Sequence, residues 1–216
     1  MKLGELKSTR RYPRGKTLFF EGQRAGGVYV LCSGRIKLST HSEEGKAIIA
    51  RVVEPGEVLA LSAIVNGTPH EGTASAIDDC LIGFINKRDF ENLLNSSPLI
   101  ALKAMKELGR VYRKAYTRIC TLGLSTSVSG RLTRLFLEWC DLSPNGGESA
   151  TIRQPYTHEE IAEMIGTSRE TVTRLLRTFR ERGLIDLEDG MLHIPNKNHL
   201  RSLVSTGKGH ADRAAG

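Results

Sequence analysis

The chain predicts an α+β fold: an antiparallel β-rich N-terminal part, rolled or sandwiched, then a long helix and a C-terminal helix-turn-helix. Three observations carry this. Between Thr17 and Ile85, short apolar runs alternate with turn residues. From Pro98 to about Leu124 apolar residues recur at helical spacing with no further proline. Residues 156–185 spell two short amphipathic helices around a glycine.

The 216 residues suit two unequal parts, each able to bury a core. In the first, the runs TLFF, VYVLC, RIKLS, AIIARVV, EVLAL, ASAI and CLIGFI are cut at Glu21-Gly22, Gly26-Gly27, Ser33-Gly34, Glu44-Gly45, Pro55-Gly56 and Asn66-Gly67. Runs of four to seven residues between such signals read as strands joined by hairpins.

After Asp89 the period changes. Ser97 is read as an N-cap with Pro98 at the first helical position. Leu102, Met105, Gly109, Tyr112, Tyr116 and Ile119 then follow at steps of 3, 4, 3, 4 and 3, the spacing of a coiled-coil seam. A self-associating helix is favoured over one packed only on its own sheet. A further helix over Val128–Cys140 presents Leu132, Leu135, Phe136 and Trp139. The segment Asp141–Ser149 breaks it, and the rest is expected to be helical until Gly183, ahead of a hairpin at Asp189-Gly190.

The most informative stretch runs from Tyr156 to Ile185. Thr157 with Glu160 forms a capping box, Ile161, Ala162 and Ile165 form an apolar stripe, and Gly166 ends the helix. Thr167 with Glu170 offers a second box, and Val172, Leu175, Leu176 and Phe179 give the second helix its buried face. The other side carries Arg169, Thr173, Arg174, Arg177 and Arg180. A second helix apolar inside and arginine-bearing outside suits a major groove, because the guanidinium fork matches guanine O6/N7 and a carboxylate can accept from cytosine N4.

The charge distribution sharpens this. The net charge is +7, yet residues 151–216 hold ten Lys/Arg against nine acids. Affinity for an anion there must come from local placement, and residues 169–182 supply five arginines against two glutamates.

Other chemistries are poorly represented. Cys32, Cys80, Cys120 and Cys140 lie far apart without a C-x-x-C pair, so neither zinc nor an iron–sulfur cluster is indicated, and they read as free, mostly packed thiols. The six histidines have no metal spacing, and no nucleophile elbow, P-loop or dinucleotide fingerprint occurs, so an enzyme is not expected. No apolar stretch is long enough to span a bilayer and no secretory h-region is present, which leads to an expectation of a cytoplasmic protein with no membrane partner.

With TLFFEGQRAGGVYVLCSGRIKLS, EPGEVLALSAI and SRETVTRLLRTFRERGLI, the chain resembles the CRP/FNR superfamily of bacterial transcription regulators over nearly its whole length. The resemblance implies a cyclic-nucleotide-binding-like antiparallel β-roll over 1–96, a dimerisation helix and hinge over 97–126, and a winged helix-turn-helix over 127–204. The tail 205–216, poor in apolar residues, is expected to be disordered. Implied partners are double-stranded DNA, a second copy of the chain and RNA polymerase. By motif position Arg169, Glu170 and Arg174 would read base edges on half-sites of the TGTGA kind. Thr157, Ser168, Thr173, Arg177 and Arg180 complete the expected DNA-binding set, the two arginines meeting phosphates. The seam would join two copies.

The resemblance also implies an effector pocket at Leu61, Ser62, Glu71, Gly72, Tyr116 and Thr117. Here the chain departs from the cAMP-binding members. Ala60-Leu61-Ser62 stands where they have Gly-Glu-Leu and Glu71-Gly72 where they have Arg-Ser, so the ribose carboxylate is gone and a carboxylate replaces the phosphate-binding arginine. Like charges repel, so cAMP binding by the usual contacts is not expected, and the effector stays unassigned. Two rivals differ in class. One is a haem- or redox-sensing regulator, against which stand the lack of cysteines before Cys32 and a lone His70 that reads as a solvated loop residue. The other is an effector-binding module acting on a protein partner.

Overall fold

Turn residues cut the N-terminal part into strands, and all but the first bury at least one residue. The computed structural model describes residues 8–124, 127–141, 148–153 and 156–206. The strands are β1 (Ser8–Tyr12), β2 (Thr17–Phe19), β3 (Gly27–Ser33), β4 (Ile36–His41), β5 (Ala47–Val53) and β6 (Val58–Leu59), then β7 (Thr73–Ala76) and β8 (Cys80–Asn86) after a short helix α1 (Leu61–Asn66). They form two four-stranded antiparallel sheets in the orders β1-β8-β3-β6 and β2-β7-β4-β5. Phe19, Leu31, Ile36, Val53, Leu59, Ala74, Ala76, Cys80 and Ile82 from both sheets make one buried cluster. Between β3 and β4 the chain changes sheets at Gly34 (φ 83°), where a Cβ would lie 2.6 Å from both the Asp79 carbonyl oxygen and the Cys80 sulfur. Only glycine meets both conditions.

Two parts of this unit depart from the sequence reading. EVLAL is strand only at Val58 and Leu59; Ala60 takes a left-handed conformation (φ 62°) and Leu61 starts α1. β1, with the sequence STRRY, lacked the apolar alternation that marks a strand because it lies at a sheet edge with four of its five residues exposed.

Helix α2 (Lys87–Ser96) opens at Asn86, whose side chain accepts from the Asp89 N–H at 2.9 Å. Pro98 begins α3 (Pro98–Leu124), 27 residues long. One face of α3, through Ile100, Ala104 and Leu108, packs on a buried cluster of Val28, Leu61, Ile64, Ile85, Phe90 and Leu93. Another face carries Leu102, Met105, Tyr112, Tyr116 and Ile119, whose exposures run from 45% to 69%, with Gly109 exposed among them. Packing on its own sheet therefore accounts for one stripe of α3 and leaves the 3-4 stripe uncovered in the single chain.

The chain divides into two compact units, Met1–Thr117 and Arg118–Gly216, with the division inside α3. The second contains α4 (Val128–Asp141), β9 (Ala150–Arg153), α5 (His158–Ile165), α6 (Arg169–Glu181), β10 (Asp186–Glu188), β11 (Met191–Ile194) and α7 (Lys197–Thr206). The three strands form an antiparallel sheet in the order β10-β11-β9. Asp189 (φ 49°) and Gly190 (φ 71°) make the β10–β11 turn, as an Asp-Gly pair should.

Leu132, Leu135, Phe136, Ile161, Ile165, Val172, Leu176 and Phe179 are buried, Phe136 meeting Phe179 edge to face at 6.3 Å between centroids. β9 corrects the expectation of an all-helical stretch before Gly183, and α7 adds a helix after the hairpin that was not expected. β9 is too short to announce itself and exists by pairing with β11. α7 reaches Thr206, so Ser205 and Thr206 of the expected disordered tail are helical; 207–216 lie outside the described residues. Among the described residues no helix is long and apolar enough to cross a membrane.

Candidate nucleic-acid interface

The two helices of the motif are held at a fixed turn by local chemistry. Thr157 accepts from the Glu160 N–H at 3.2 Å while the Glu160 carboxylate accepts from the Thr157 N–H at 2.8 Å, the reciprocal box that begins α5. Gly166 (φ 64°) ends it, and the N–H groups of Gly166 and Thr167 both donate to the Ala162 carbonyl. Three further carbonyls at this end, those of Met164, Ile165 and Gly166, accept from arginines outside the helix. Arg131 of α4 donates from Nε to Ile165 O at 2.7 Å and from Nη2 to Gly166 O at 3.4 Å, and Arg118 donates to Met164 O. Cations there also complement the negative end of the helix dipole.

The second capping box is corrected. The N-cap of α6 is Ser168, whose hydroxyl accepts from the Thr171 N–H at 3.3 Å. Glu170 is therefore the second residue of the helix and outside a reciprocal box. Its own backbone N–H, followed by the Ser168 hydroxyl, holds its carboxyl below the ordinary glutamate range, and the residue is exposed. The shift of one position takes Glu170 out of a reciprocal box, while its carboxylate still accepts from the first-turn N–H of Glu170 and from the Ser168 hydroxyl.

Val172, Leu176 and Phe179 are buried, while Arg169, Glu170, Thr173, Arg174, Arg177 and Arg180 are exposed on α6. Along this face the ionic partners change. Arg177 Nε is 2.8 Å from Glu181 and Arg180 Nε is 3.9 Å from Asp186. Thr173 donates to the Arg169 carbonyl at 3.0 Å and lies 2.9 Å from Nδ1 of His158 on α5, a residue the sequence reading did not select. Thr157 spends its hydroxyl on the Glu160 box, donating to the carboxylate at 3.1 Å, and Ser168 spends its own on the α6 cap.

The residues expected at an effector pocket are placed differently from one another. Leu61 is buried in the apolar cluster beneath α3. Ser62 donates to Glu71 at 2.8 Å, so the exposed Glu71 carboxylate has a partner. Gly72 is buried, and a Cβ there would lie 3.0 Å from Ser39 O. Tyr116 and Thr117 are exposed on α3, Tyr116 stacking on Tyr112. His70 is not a solvated residue: it is 5% exposed and stacks on Phe19 at 3.7 Å, and burial pulls its imidazole below the usual range.

Unit 1 also holds a charged network that the sequence left unassembled. Oε1 of Glu57 accepts from Arg110 at 2.5 Å and Lys114 at 2.8 Å, and its Oε2 is 3.8 Å from Arg51 Nη1. Arg110 also makes a two-point bond to Glu107, at 2.6 and 2.9 Å. Burial pushes the Glu57 carboxyl up, but the bonds from Arg110 and Lys114 outweigh it and the group lies below its ordinary value. Burial likewise pulls the Arg51 guanidinium down against the attraction of Glu57 and Glu107. The only signal in the sequence was an arginine inside the apolar run AIIARVV.

A three-stranded sheet beside an arginine-faced second helix defines a winged helix-turn-helix protein, here preceded by a two-sheet β domain. The model of the cyclic nucleotide-binding domain matches residues 9–97 and that of the Crp-like helix-turn-helix domain matches residues 130–203. Among known proteins, the chain is 26% identical over 190 residues to a CRP-like cAMP-activated global transcriptional regulator of Mycobacterium tuberculosis, covering 88% of this chain and 84% of that one. It is 28% identical to the global nitrogen regulator of a Nostoc species, over 82% and 80% of the two chains. The solved structure of FixK2 from Bradyrhizobium japonicum superposes with a TM-score of 0.80 at 21% identity, covering 91% of this chain and 96% of that one, a likeness of fold. The chain belongs to the CRP/FNR superfamily of transcription regulators.

Proposed function

We propose that this regulator acts as a homodimer that inserts two α6 helices into successive major grooves of a palindrome with TGTGA-like half-sites. The observation that carries the reading is the exposed α6 face, where Arg169, Glu170, Thr173 and Arg174 occupy the first turn and a half and Arg177 and Arg180 lie beyond. In this reading the first group contacts base edges, with Ser168 and Thr157 at the helix starts, and Arg177 and Arg180 contact phosphates. The exposed stripe from Leu102 to Ile119 pairs with its copy, and two-fold symmetry sets the α6 helices about one DNA turn, ~34 Å, apart. The functional division is 1–96, 97–126 and 127–204.

Its effector is not cAMP bound through the usual contacts. Glu71 is supported by Ser62 as a standing carboxylate, and Leu61 is packed in the core, so neither replaces the missing phosphate and ribose partners. RNA polymerase is the proposed protein partner and the cytoplasm the proposed compartment; the role is regulatory and not enzymatic.

The test is selection on randomised duplexes followed by salt-titrated gel shifts. The expected outcome is an inverted repeat with half-site centres one helical turn apart and an affinity that falls steeply with salt. Equal affinity for the selected and a scrambled duplex, or no binding, would remove the reading.

A further inference from the structure

Thr173 stands on the α6 reading face one turn from Arg169 on one side and one turn from Arg177 on the other, and its hydroxyl has two partners. It donates to the Arg169 carbonyl at 3.0 Å and lies 2.9 Å from His158 Nδ1. A hydroxyl carries a single proton. With that proton directed at the carbonyl, the oxygen can only accept from the imidazole. Nδ1 of neutral His158 therefore carries the ring proton and Nε2 is a bare acceptor. Such a nitrogen offers nothing to a phosphate oxygen. Protonation turns Nε2 into a charged donor and leaves the Nδ1–Thr173 bond in place, so the side chain gains a donor without giving up its partner.

We propose that His158 is a DNA-backbone contact that operates only in its protonated form, so that this regulator takes up protons as it binds DNA. The inference rests on α6 being the reading helix. Charged groups of both helices bear on it. On α6 these are Arg169, Glu170, Arg174 and Arg177, and on α5 Glu159, while Glu160 is committed to the Thr157 box. A docked phosphate adds a negative charge at contact distance and tips the balance towards the cation. By linkage, whatever DNA does for proton affinity, protons do for DNA affinity.

The sign follows. The protonated form binds, so affinity is full at the acid end of the range in which imidazole changes charge, between about pH 5 and 8, and falls as pH rises through it. Each unit by which DNA raises the imidazole's proton affinity multiplies binding tenfold, and a dimer has two such groups, which gives a ceiling of about a hundredfold per unit. Arginine contacts elsewhere on the face do not titrate here.

The experiment measures fluorescence anisotropy of the full-length protein on its selected duplex and on a scrambled duplex, from pH 5.5 to 8.5 at fixed ionic strength. Wild-type protein is expected to bind both duplexes about tenfold or more weaker at pH 8 than at pH 6, because the contact is to backbone. His158→Arg should bind tightly throughout and His158→Gln weakly throughout, each with a flattened profile. A flat wild-type profile overturns the proposal, as does a pH dependence retained in His158→Gln, which would assign it to another group. Failure here is distinguishable from failure of the underlying reading: a protein that discriminates its selected site but is flat in pH defeats only the His158 assignment, and one that does not discriminate defeats the reading of α6.

Discussion

Glu57→Gln removes the anion at the centre of the buried network in unit 1. Glu57 is 8% and Arg51 13% exposed, so neither charge can be rescued by water without local unfolding. The amide loses the charge-assisted bonds from Arg110 and Lys114, held at 2.5 and 2.8 Å, and leaves the Arg51 guanidinium buried without its nearest anion. Breaking a buried pair by deleting one partner costs about 3–5 kcal/mol. At a urea dependence of about 2 kcal/mol per molar, the unfolding midpoint should fall by about 1.5–2.5 M. Far-UV circular dichroism follows both units, whereas the fluorescence of the single tryptophan, Trp139 in α4, reports unit 2. The loss should be larger in the dichroism transition.

A double variant, Arg51→Met with Glu57→Gln, should lose less than the sum of the singles, since it removes both buried charges together. The pH dependence has a definite sign. The folded-state Glu57 carboxyl lies below its ordinary value, so its contribution is present above the ordinary glutamate range near 4.3 and is lost as pH falls through the depressed folded value. Glu57→Gln should lack that part of the acid limb. A midpoint within about 0.3 M of wild type, or strict additivity in the double variant, would refute the account of the network.

Four further outcomes are expected. Met105→Glu should give monomers in sedimentation and weaken binding to a palindrome, because Met105 is 61% exposed within the α3 stripe; a dimer that persists would reject the seam. Arg174→Ala should cost about 1–3 kcal/mol on the selected site and relax one base pair of each half-site, whereas Arg180→Ala should weaken all sequences alike and lower the salt slope by about one, both read by binding selection and salt titration. Calorimetry with cAMP should give no micromolar binding, and a micromolar dissociation constant would overturn the reading of Glu71 and Leu61. Gly34→Ala should lower the melting temperature by roughly 4–8 °C, since a Cβ meets Asp79 O at 2.6 Å in a left-handed backbone and a loss of about 2 kcal/mol is the minimum expected.

The parts of the fold governed by short-range rules were legible in the chain itself. Alternation and turn glycines disclosed seven of the N-terminal strands, Thr157 and Glu160 disclosed the start of α5, and the Arg/Leu segregation of residues 169–181 disclosed the faces of α6. Each depends on residues within a turn or two of one another, and the physics is written locally. The capping of α6 shows where that resolution ends. Thr167 and Ser168 are both chemically fit to cap, and the left-handed Gly166, with the N–H groups of Gly166 and Thr167 folded back onto Ala162, decides for Ser168.

Only the tertiary structure decided the rest. β1 and β9 exist because β8 and β11 accept them, and their own residues carry little apolar pattern. His70 looked solvated in the sequence, but stacking on Phe19, 51 residues earlier, buries it. Glu57 and Arg110 are 53 residues apart, as ordinary a glutamate and arginine as any on the surface, until the chain closes to bring them to 2.5 Å. His158 and Thr173 likewise acquire a joint role only when α5 and α6 cross. Sequence alone thus determined which face of each helix is apolar and which could read DNA, because that depends on a helical repeat of about 3.6 residues. Which charges and hydroxyls meet was left to the fold, because a side chain's partner is set by distance in space, and separation along the chain constrains that distance only weakly.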